Sequence, residues 1–132
     1  MPVIHMTVFT RKIVQQSPDH LFVFGDNMRR TGLGGQAAEC RGEPNAVGIP
    51  TKWYPSKHPS AYFRDGDLLE AQLLIDEAFE RLEQHLRDGK VVVWPLHGIG
   101  TGLANLDNCA PQIMAYIKAR YERLRKMETP LC

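Results

Sequence analysis

Two glycine-rich loops, each directly after a run of apolar residues, carry the strongest chemical signal in the sequence. The first loop is Gly25–Gln36 and the second loop is Pro95–Leu103. Glycines there let backbone N–H groups approach a phosphate closely, and open α/β sheets bind ligands outside the carboxyl ends of their strands. One such loop is more often only a tight turn, but two of them favour a phosphate-bearing ligand held between them.

Neither loop matches a standard nucleotide motif. The first loop departs from GxGxxG because Gly32, Gly34 and Gly35 are too closely spaced, and the second loop has no Lys–Ser/Thr after it. A dinucleotide-binding fold and a P-loop are therefore not indicated.

Lys52 lies between the two loops, beside two aromatic residues. It precedes Trp53 and Tyr54, and a lysine against an apolar wall loses its charge more readily and becomes a nucleophile. A solvated surface lysine explains the same residue. Trp53 and Tyr54 fit either core packing or a surface on which adenine stacks.

Polar side chains of the loops and their surroundings offer further candidates. Asp26 either contacts a ligand or holds the first loop through a side-chain-to-backbone turn. His97 fits a general acid or base, or a partner for a loop carbonyl. Arg29 and Arg30 fit an anion contact or a solvated surface. Cys40 has no base near it in sequence, which argues against a nucleophilic thiol.

The pattern of apolar residues predicts strands that alternate with helices. Apolar runs at 20–24 and 91–94 are typical of strands buried on both faces, and 46–49 fits a shorter strand. Val8–Phe9 and Ile13–Val14 are short β-prone pairs. This alternation favours an α/β domain with a parallel or mixed sheet.

Helical spacing predicts a long amphipathic helix over 68–86. Asp65 or Asp67 is expected to cap its start, and Asp88–Gly89 to end it. A short helix is expected within 34–40. The last helix is expected to begin at 108–111, where Pro111 suits a first turn.

Length and composition fit one domain over residues 1–132, with 43% hydrophobic and 23% charged residues. No apolar run approaches the roughly 20 residues of a membrane span, and the N-terminus shows no secretory pattern. Cys40, Cys109 and Cys132 are widely spaced, and the histidines show no HExxH spacing, so neither a disulfide framework nor a metal site is expected. We expect a cytoplasmic protein without a metal or cofactor.

The two loops and their flanking strands resemble the macro domain superfamily, whose members bind ADP-ribose. The segment 23–38 resembles its first signature, a strand followed by an asparagine-containing loop and a glycine cluster, and 92–103 resembles its second. The resemblance covers Leu21 to Tyr121. It implies a three-layer α/β/α sandwich with a mixed central sheet, and ADP-ribose as the ligand.

The resemblance also implies the ligand contacts. Asn27 would face the distal ribose, Gly34 and Gly35 would approach that ribose or its phosphate, and the second loop would cradle the diphosphate. The implied ligand-binding residues are Gly25, Asn27, Gly32, Gly34, Gly35, Gln36, His97, Gly98, Ile99, Gly100, Thr101, Gly102 and Leu103.

Thr51–Lys52 resembles the Thr–Lys pair of one macro branch, which is similar to terminal ADP-ribose protein glycohydrolase. In that branch the lysine attacks the anomeric carbon of the ribose, and an aspartate near the second loop helps to resolve the adduct. The resemblance therefore implies Lys52 as nucleophile. The matching aspartate falls at position 104 or 105, which carries no carboxylate here, so Asp26 or Asp107 is the candidate acid or base.

The first functional expectation is an ADP-ribosyl hydrolase, of the glycohydrolase or deacylase type, acting on a modified macromolecule. The alternative is a module that binds ADP-ribose without turnover. A third interpretation is a nucleic-acid-binding or interaction protein that uses the aromatic and basic residues of Tyr54–Arg64. It fits least well, because the formal net charge is only +1. No membrane partner is expected.

Overall fold

A computed structural model describes residues 3–127, and its centre is a four-stranded parallel sheet. The strands are β1 (Val3–Met6), β2 (His20–Asp26), β3 (Ala46–Pro50) and β4 (Val91–Pro95), in the spatial order β1-β4-β2-β3. Each neighbouring pair of these strands runs parallel. The expectation of a mixed sheet is therefore wrong for these four strands, because each is joined to the next by a crossover long enough for parallel pairing.

Five helices connect or follow the strands. They are α1 (Arg11–Gln16), α2 (Ala37–Cys40), α3 (Leu68–Arg87), α4 (Leu106–Cys109) and α5 (Pro111–Lys126), with short 3-10 turns at Pro59–Ala61 and Asp65–Asp67. Among residues 3–127, no helix is both long enough and apolar enough to cross a membrane.

Alternate side chains of β2 pack into two different clusters, as its continuous apolar run predicts. Leu21 and Val23 lie in a cluster with buried residues of α3 and α5. Phe22 and Phe24 lie in another cluster with buried residues of α1 and α2. The helix that follows β2 and the helices that follow β4 therefore pack on opposite faces of the sheet.

The N-terminal region differs from its sequence-based prediction. The first strand lies at Val3–Met6 instead of Val8–Phe9, and Ile13–Val14 lies in α1. Thr10 explains the helix, because its hydroxyl oxygen accepts a hydrogen bond from the Ile13 amide at 3.2 Å as an N-cap. The cap and the burial of Val14 thus outweigh the preference of the β-branched pair Ile13–Val14 for a strand.

The long helix is confirmed, as α3, but its start differs in detail from the prediction. Asp67 stands at the N-cap position without a side-chain bond to an α3 amide. Its Oδ2 instead accepts hydrogen bonds from the Arg64 amide at 2.8 Å and from Trp53 Nε1 at 3.3 Å. The helix ends at Arg87, followed by Asp88 and by Gly89 with a φ of +78°, as predicted.

Candidate ligand-binding site

A cavity of about 600 Å³ lies between the first loop, the second loop and the residues that follow β3. β2 and β4 are parallel neighbours, so both loops leave the sheet at the same edge. Because the helices that they reach lie on opposite faces, the chain opens a crevice at that edge, where open α/β sheets bind ligands. Small-molecule sites are roughly 300–1,000 Å³, so the cavity has the size of a ligand site.

Most of the sequence-predicted site residues come together in this cavity. His97, Thr101 and Asp107 do not line it: His97 and Thr101 line a separate pocket of about 230 Å³ on the other side of the second loop, and Asp107 is exposed at the start of α4. The predicted residues that line the cavity are Gly25, Asp26, Asn27, Gly32, Gly34, Gly35, Gln36, Lys52, Gly98, Ile99, Gly100, Gly102 and Leu103.

Glycines let the cavity walls approach one another. Gly32 has a φ of +88°, and a Cβ there would lie 2.7 Å from Pro55 Cβ. A Cβ on Gly34 would lie 3.2 Å from Leu103 Cδ1, so the two loops approach each other closely at this point. The first loop therefore contacts both other walls, and a larger residue at position 32 would separate it from Pro55.

The second loop presents a row of unpaired backbone donors. The amides of residues 99–104 donate to no acceptor within residues 3–127, although Ile99 and Ala104 are buried. Gly100, with a φ of +88°, fits only without a side chain, because a Cβ would lie 2.6 Å from Leu106 Cδ1. Buried amides are nearly always paired in folded proteins, and Ile99 and Ala104 both line the cavity, so a bound ligand is the natural acceptor for their amides.

Asp26 lies in the cavity wall, where two arginines and one amide engage its carboxylate. Arg41 Nη2 donates to its Oδ1 at 2.6 Å, Arg30 Nη1 donates to its Oδ2 at 3.2 Å, and the Asn27 amide donates to its Oδ1 at 2.8 Å. The side chain is 3% exposed. Both oxygens therefore serve to hold the surrounding chain.

Asn27 and Gln36 also use their side chains to fix the first loop. Asn27 Oδ1 accepts from the Arg29 amide at 3.0 Å, and its Nδ2 donates to the Thr31 carbonyl at 2.7 Å. Gln36 pairs with both the amide and the carbonyl of Phe9, at 3.1 and 2.8 Å. These bonds keep the loop glycines in place at the cavity.

Lys52 lines the cavity and is half-buried. Its Nζ donates to the Ser56 carbonyl at 2.8 Å and lies 4.7 Å from the centre of the Tyr62 ring. Burial, and then the nearby positive charge of Lys57, lower the pKa of Lys52 below that of a free lysine. A lysine with a lowered pKa is closer to the neutral form that acts as a nucleophile.

Trp53 and Tyr54 do not line the cavity. Trp53 packs edge-on against buried Phe63, with 5.1 Å between ring centroids. The guanidinium of Arg29 lies 4.7 Å from the centre of the Tyr54 ring. Core packing accounts for Trp53, and a surface cation–π contact accounts for Tyr54.

The charges of the cavity wall favour an anionic ligand. Lys52, Lys57 and Arg41 line the cavity, and Asp26 is the acidic residue among its lining residues. Arg41 could not be found from the sequence, because it lies 15 positions after Asp26, directly after the short helix α2, with no motif around it. Only the folded chain brings its guanidinium to the first loop.

Other reactive side chains lie outside this site. Cys40 is fully buried, and burial raises the pKa of its thiol to about 12, so it remains protonated near neutral pH. Cys132 lies outside the described residues. Within residues 3–127, no group of three or more His, Cys, Asp or Glu side chains is arranged to hold a metal ion.

Residues 4–120 match the model of a family of unknown function, DUF7831. Comparisons with curated proteins and with solved structures found no match. The chemistry of the site therefore has to be argued from its own residues.

Proposed function

The chain belongs to the DUF7831 family of unknown function, and we propose that its cavity binds ADP-ribose or a closely related nucleotide diphosphate. In this proposal the domain is a three-layer α/β/α sandwich of the macro type. The helix clusters on the two faces of the sheet support the three layers, although the four described strands are all parallel where the resemblance implies a mixed sheet.

The unpaired amides of the second-loop residues that line the cavity, Ile99, Gly100, Gly102 and Leu103, and of Ala104 carry the proposal. A diphosphate offers several charged oxygens to such a row of donors, and charge-assisted bonds to backbone N–H groups are stronger than neutral ones. The cations of the wall, Lys52, Lys57 and Arg41, add a favourable field. The cavity volume of about 600 Å³ leaves room for the sugar on either side of the diphosphate.

The first loop is assigned to the distal ribose in this proposal. Gly34 and Gly35 line the cavity with backbone alone, so the ribose can approach the chain closely. Asn27 acts mainly through the loop, because its side chain already bonds to the Arg29 amide and the Thr31 carbonyl.

Titration of ADP-ribose into the purified chain by calorimetry tests the binding proposal. We expect saturable binding at one site, and weaker binding of adenosine, which has no phosphate. Failure of ADP-ribose to bind at millimolar concentration would contradict the proposal.

A second candidate function is hydrolysis of an ADP-ribosyl linkage, favoured by the lowered pKa of Lys52 inside the cavity. In this mechanism the neutral Lys52 amine attacks the anomeric carbon, the bond to the modified macromolecule breaks, and the departing group leaves with the bonding electron pair and accepts a proton. Water then cleaves the new carbon–nitrogen bond and restores the lysine. Asp26 acts as a positioning residue, because its carboxylate is held by Arg30 and Arg41.

Turnover distinguishes this candidate from binding alone. An ADP-ribosylated protein would release free ADP-ribose with the wild-type chain, and the Lys52→Ala variant would bind ADP-ribose without that release. If neither chain releases the label while both bind ADP-ribose, the protein is a binding module.

A further inference from the structure

The cluster around Asp26 carries more positive than negative charge. One carboxylate, 3% exposed, meets the guanidinium groups of Arg30 and Arg41 at 3.2 and 2.6 Å. Two cations facing one anion leave a net charge of +1 beside the cavity. Such an excess at a partly desolvated wall attracts an anion more strongly than the same charge in water.

Arg41 has hydrogen-bonding capacity left after it has anchored the first loop. Its Nε donates to the Gly32 carbonyl at 2.7 Å, and its Nη2 donates to the Thr31 carbonyl at 3.0 Å as well as to Asp26 Oδ1. Its Nη1 donates to Asp26 Oδ2 at 3.3 Å. These four bonds leave one of the five guanidinium N–H donors without an acceptor in the part of the chain that the structure describes.

Arg41 and Arg30 differ in what they face. Arg41 lines the cavity and its side chain is 20% exposed. Arg30 is 41% exposed, donates to the Gly48 carbonyl at 2.7 Å as well as to Asp26, and does not line the cavity. Of these two arginines, Arg41 is the one available to a ligand in the cavity, and Arg30 is a natural control that shares the same carboxylate.

We propose that Arg41 is a specificity-determining residue that contacts an anionic phosphate oxygen of the bound ligand while it holds the first loop closed on Asp26. This inference rests on the proposed function and deepens it, because it assigns the choice of phosphate over a neutral group to one side chain. A planar guanidinium suits both tasks, since it keeps a fixed geometry with Asp26 while another N–H meets the ligand.

Three variants test the inference, namely Arg41→Gln, Arg41→Lys and Arg30→Gln, each with ADP-ribose and with inorganic pyrophosphate as probes. Arg41→Gln is expected to lower the affinity for both probes by about tenfold to a hundredfold, which is the effect of losing one charge-assisted hydrogen bond. Arg30→Gln removes the same charge from the cluster, but Arg30 is 41% exposed and does not line the cavity, so water screens its charge and we expect both affinities to stay within about threefold. Thermal unfolding of each variant separates loss of fold from loss of affinity.

Equal affinities of Arg41→Gln and Arg30→Gln for pyrophosphate would overturn the inference. Arg41 would then affect binding only by holding Asp26, as Arg30 does, and not by contacting the ligand. Arg41→Lys keeps the charge but loses the planar fork, so we expect a loss smaller than that of Arg41→Gln. If Arg41→Gln does not fold, wild-type affinity in Arg41→Lys would overturn the inference.

The same titrations separate the two proposals. If the wild-type chain binds pyrophosphate through Arg41 but does not bind ADP-ribose, the proposed function fails and the inference stands. If ADP-ribose binds and Arg41→Gln binds it equally well, the inference fails and the proposed function stands. If neither probe binds to the wild-type chain, both fail.

Discussion

A Cβ built on Gly48 of β3 would lie 2.5 Å from Oδ2 of Asp26 on the adjacent strand β2. The carboxylate occupies the space that a side chain at position 48 would fill. Arg30 reinforces the contact, because its Nη1 donates both to Asp26 Oδ2 and to the Gly48 carbonyl. The absence of a side chain at Gly48 thus lets the Asp26 carboxylate fit beside the cavity.

The first prediction follows from this contact. Gly48→Ala forces the Asp26 carboxylate to move, so we expect it to lower the free energy of unfolding by about 1–3 kcal/mol, as overpacking does. Gly66→Ala is the matched control, because a Cβ there meets no atom within 4 Å. Urea unfolding of both variants measures the difference, and equal stabilities would contradict the account of Gly48.

The second prediction concerns the charged cluster between α3 and α5. Arg120 donates to Asp76 at 2.7 Å and to Glu83 at 3.0 Å, and Glu83 is 4% exposed. Arg120→Met leaves the buried Glu83 carboxylate with the exposed Arg123, at 3.6 Å, as its remaining ion-pair partner among residues 3–127. We expect a loss of about 3–5 kcal/mol in the free energy of unfolding.

The surface pair between Arg125 and Glu122, at 3.6 Å, provides the control for that cluster. Arg125→Met is expected to change the free energy of unfolding by less than about 1 kcal/mol. Denaturant curves for the two variants test the contrast. Similar losses in both would mean that the cluster between α3 and α5 contributes no more than an exposed ion pair.

The third prediction concerns the pH dependence of stability. Burial and the charge of Lys57 lower the pKa of Lys52 in the folded chain, so the unfolded chain binds more protons between that lowered value and about 10.4. Stability due to this group therefore rises with pH across that window. We expect the wild-type chain to gain stability relative to Lys52→Gln as pH rises from about 7 towards about 10. A difference that stays constant over this range would contradict the burial of Lys52.

Several elements could be predicted from the sequence because their signals are local. β2, β4 and α3 lie close to their predicted bounds, since long apolar runs and helical spacing each leave little choice of conformation. The bounds of β1 could not be predicted, because that strand is defined by its pairing with β4, almost ninety positions later in the chain. Its residues alone show no comparable pattern.

The part of the site that has a local sequence signal could also be predicted. Glycine clusters after apolar runs marked both loops. The sequence does not show on which side of the second loop His97 and Thr101 lie, because that depends on the path of the backbone. Gly98 and Gly100 turn that path with φ values of +82° and +88°. Arg41 reaches Asp26 only through the fold. Sequence patterns therefore located the two loops that line the cavity, together with Asp26 and Lys52, but not Arg41.

Binding of ADP-ribose to Gly102→Glu, compared with Gly66→Glu, tests the central claim most directly. A Cβ at either glycine meets no atom within 4 Å and neither has a positive φ, but only Gly102 lines the cavity. The account predicts that Gly102→Glu weakens ADP-ribose binding by about tenfold or more, because a carboxylate at the second loop repels the diphosphate, while Gly66→Glu binds like the wild type. Wild-type affinity in Gly102→Glu would contradict a diphosphate site at the second loop.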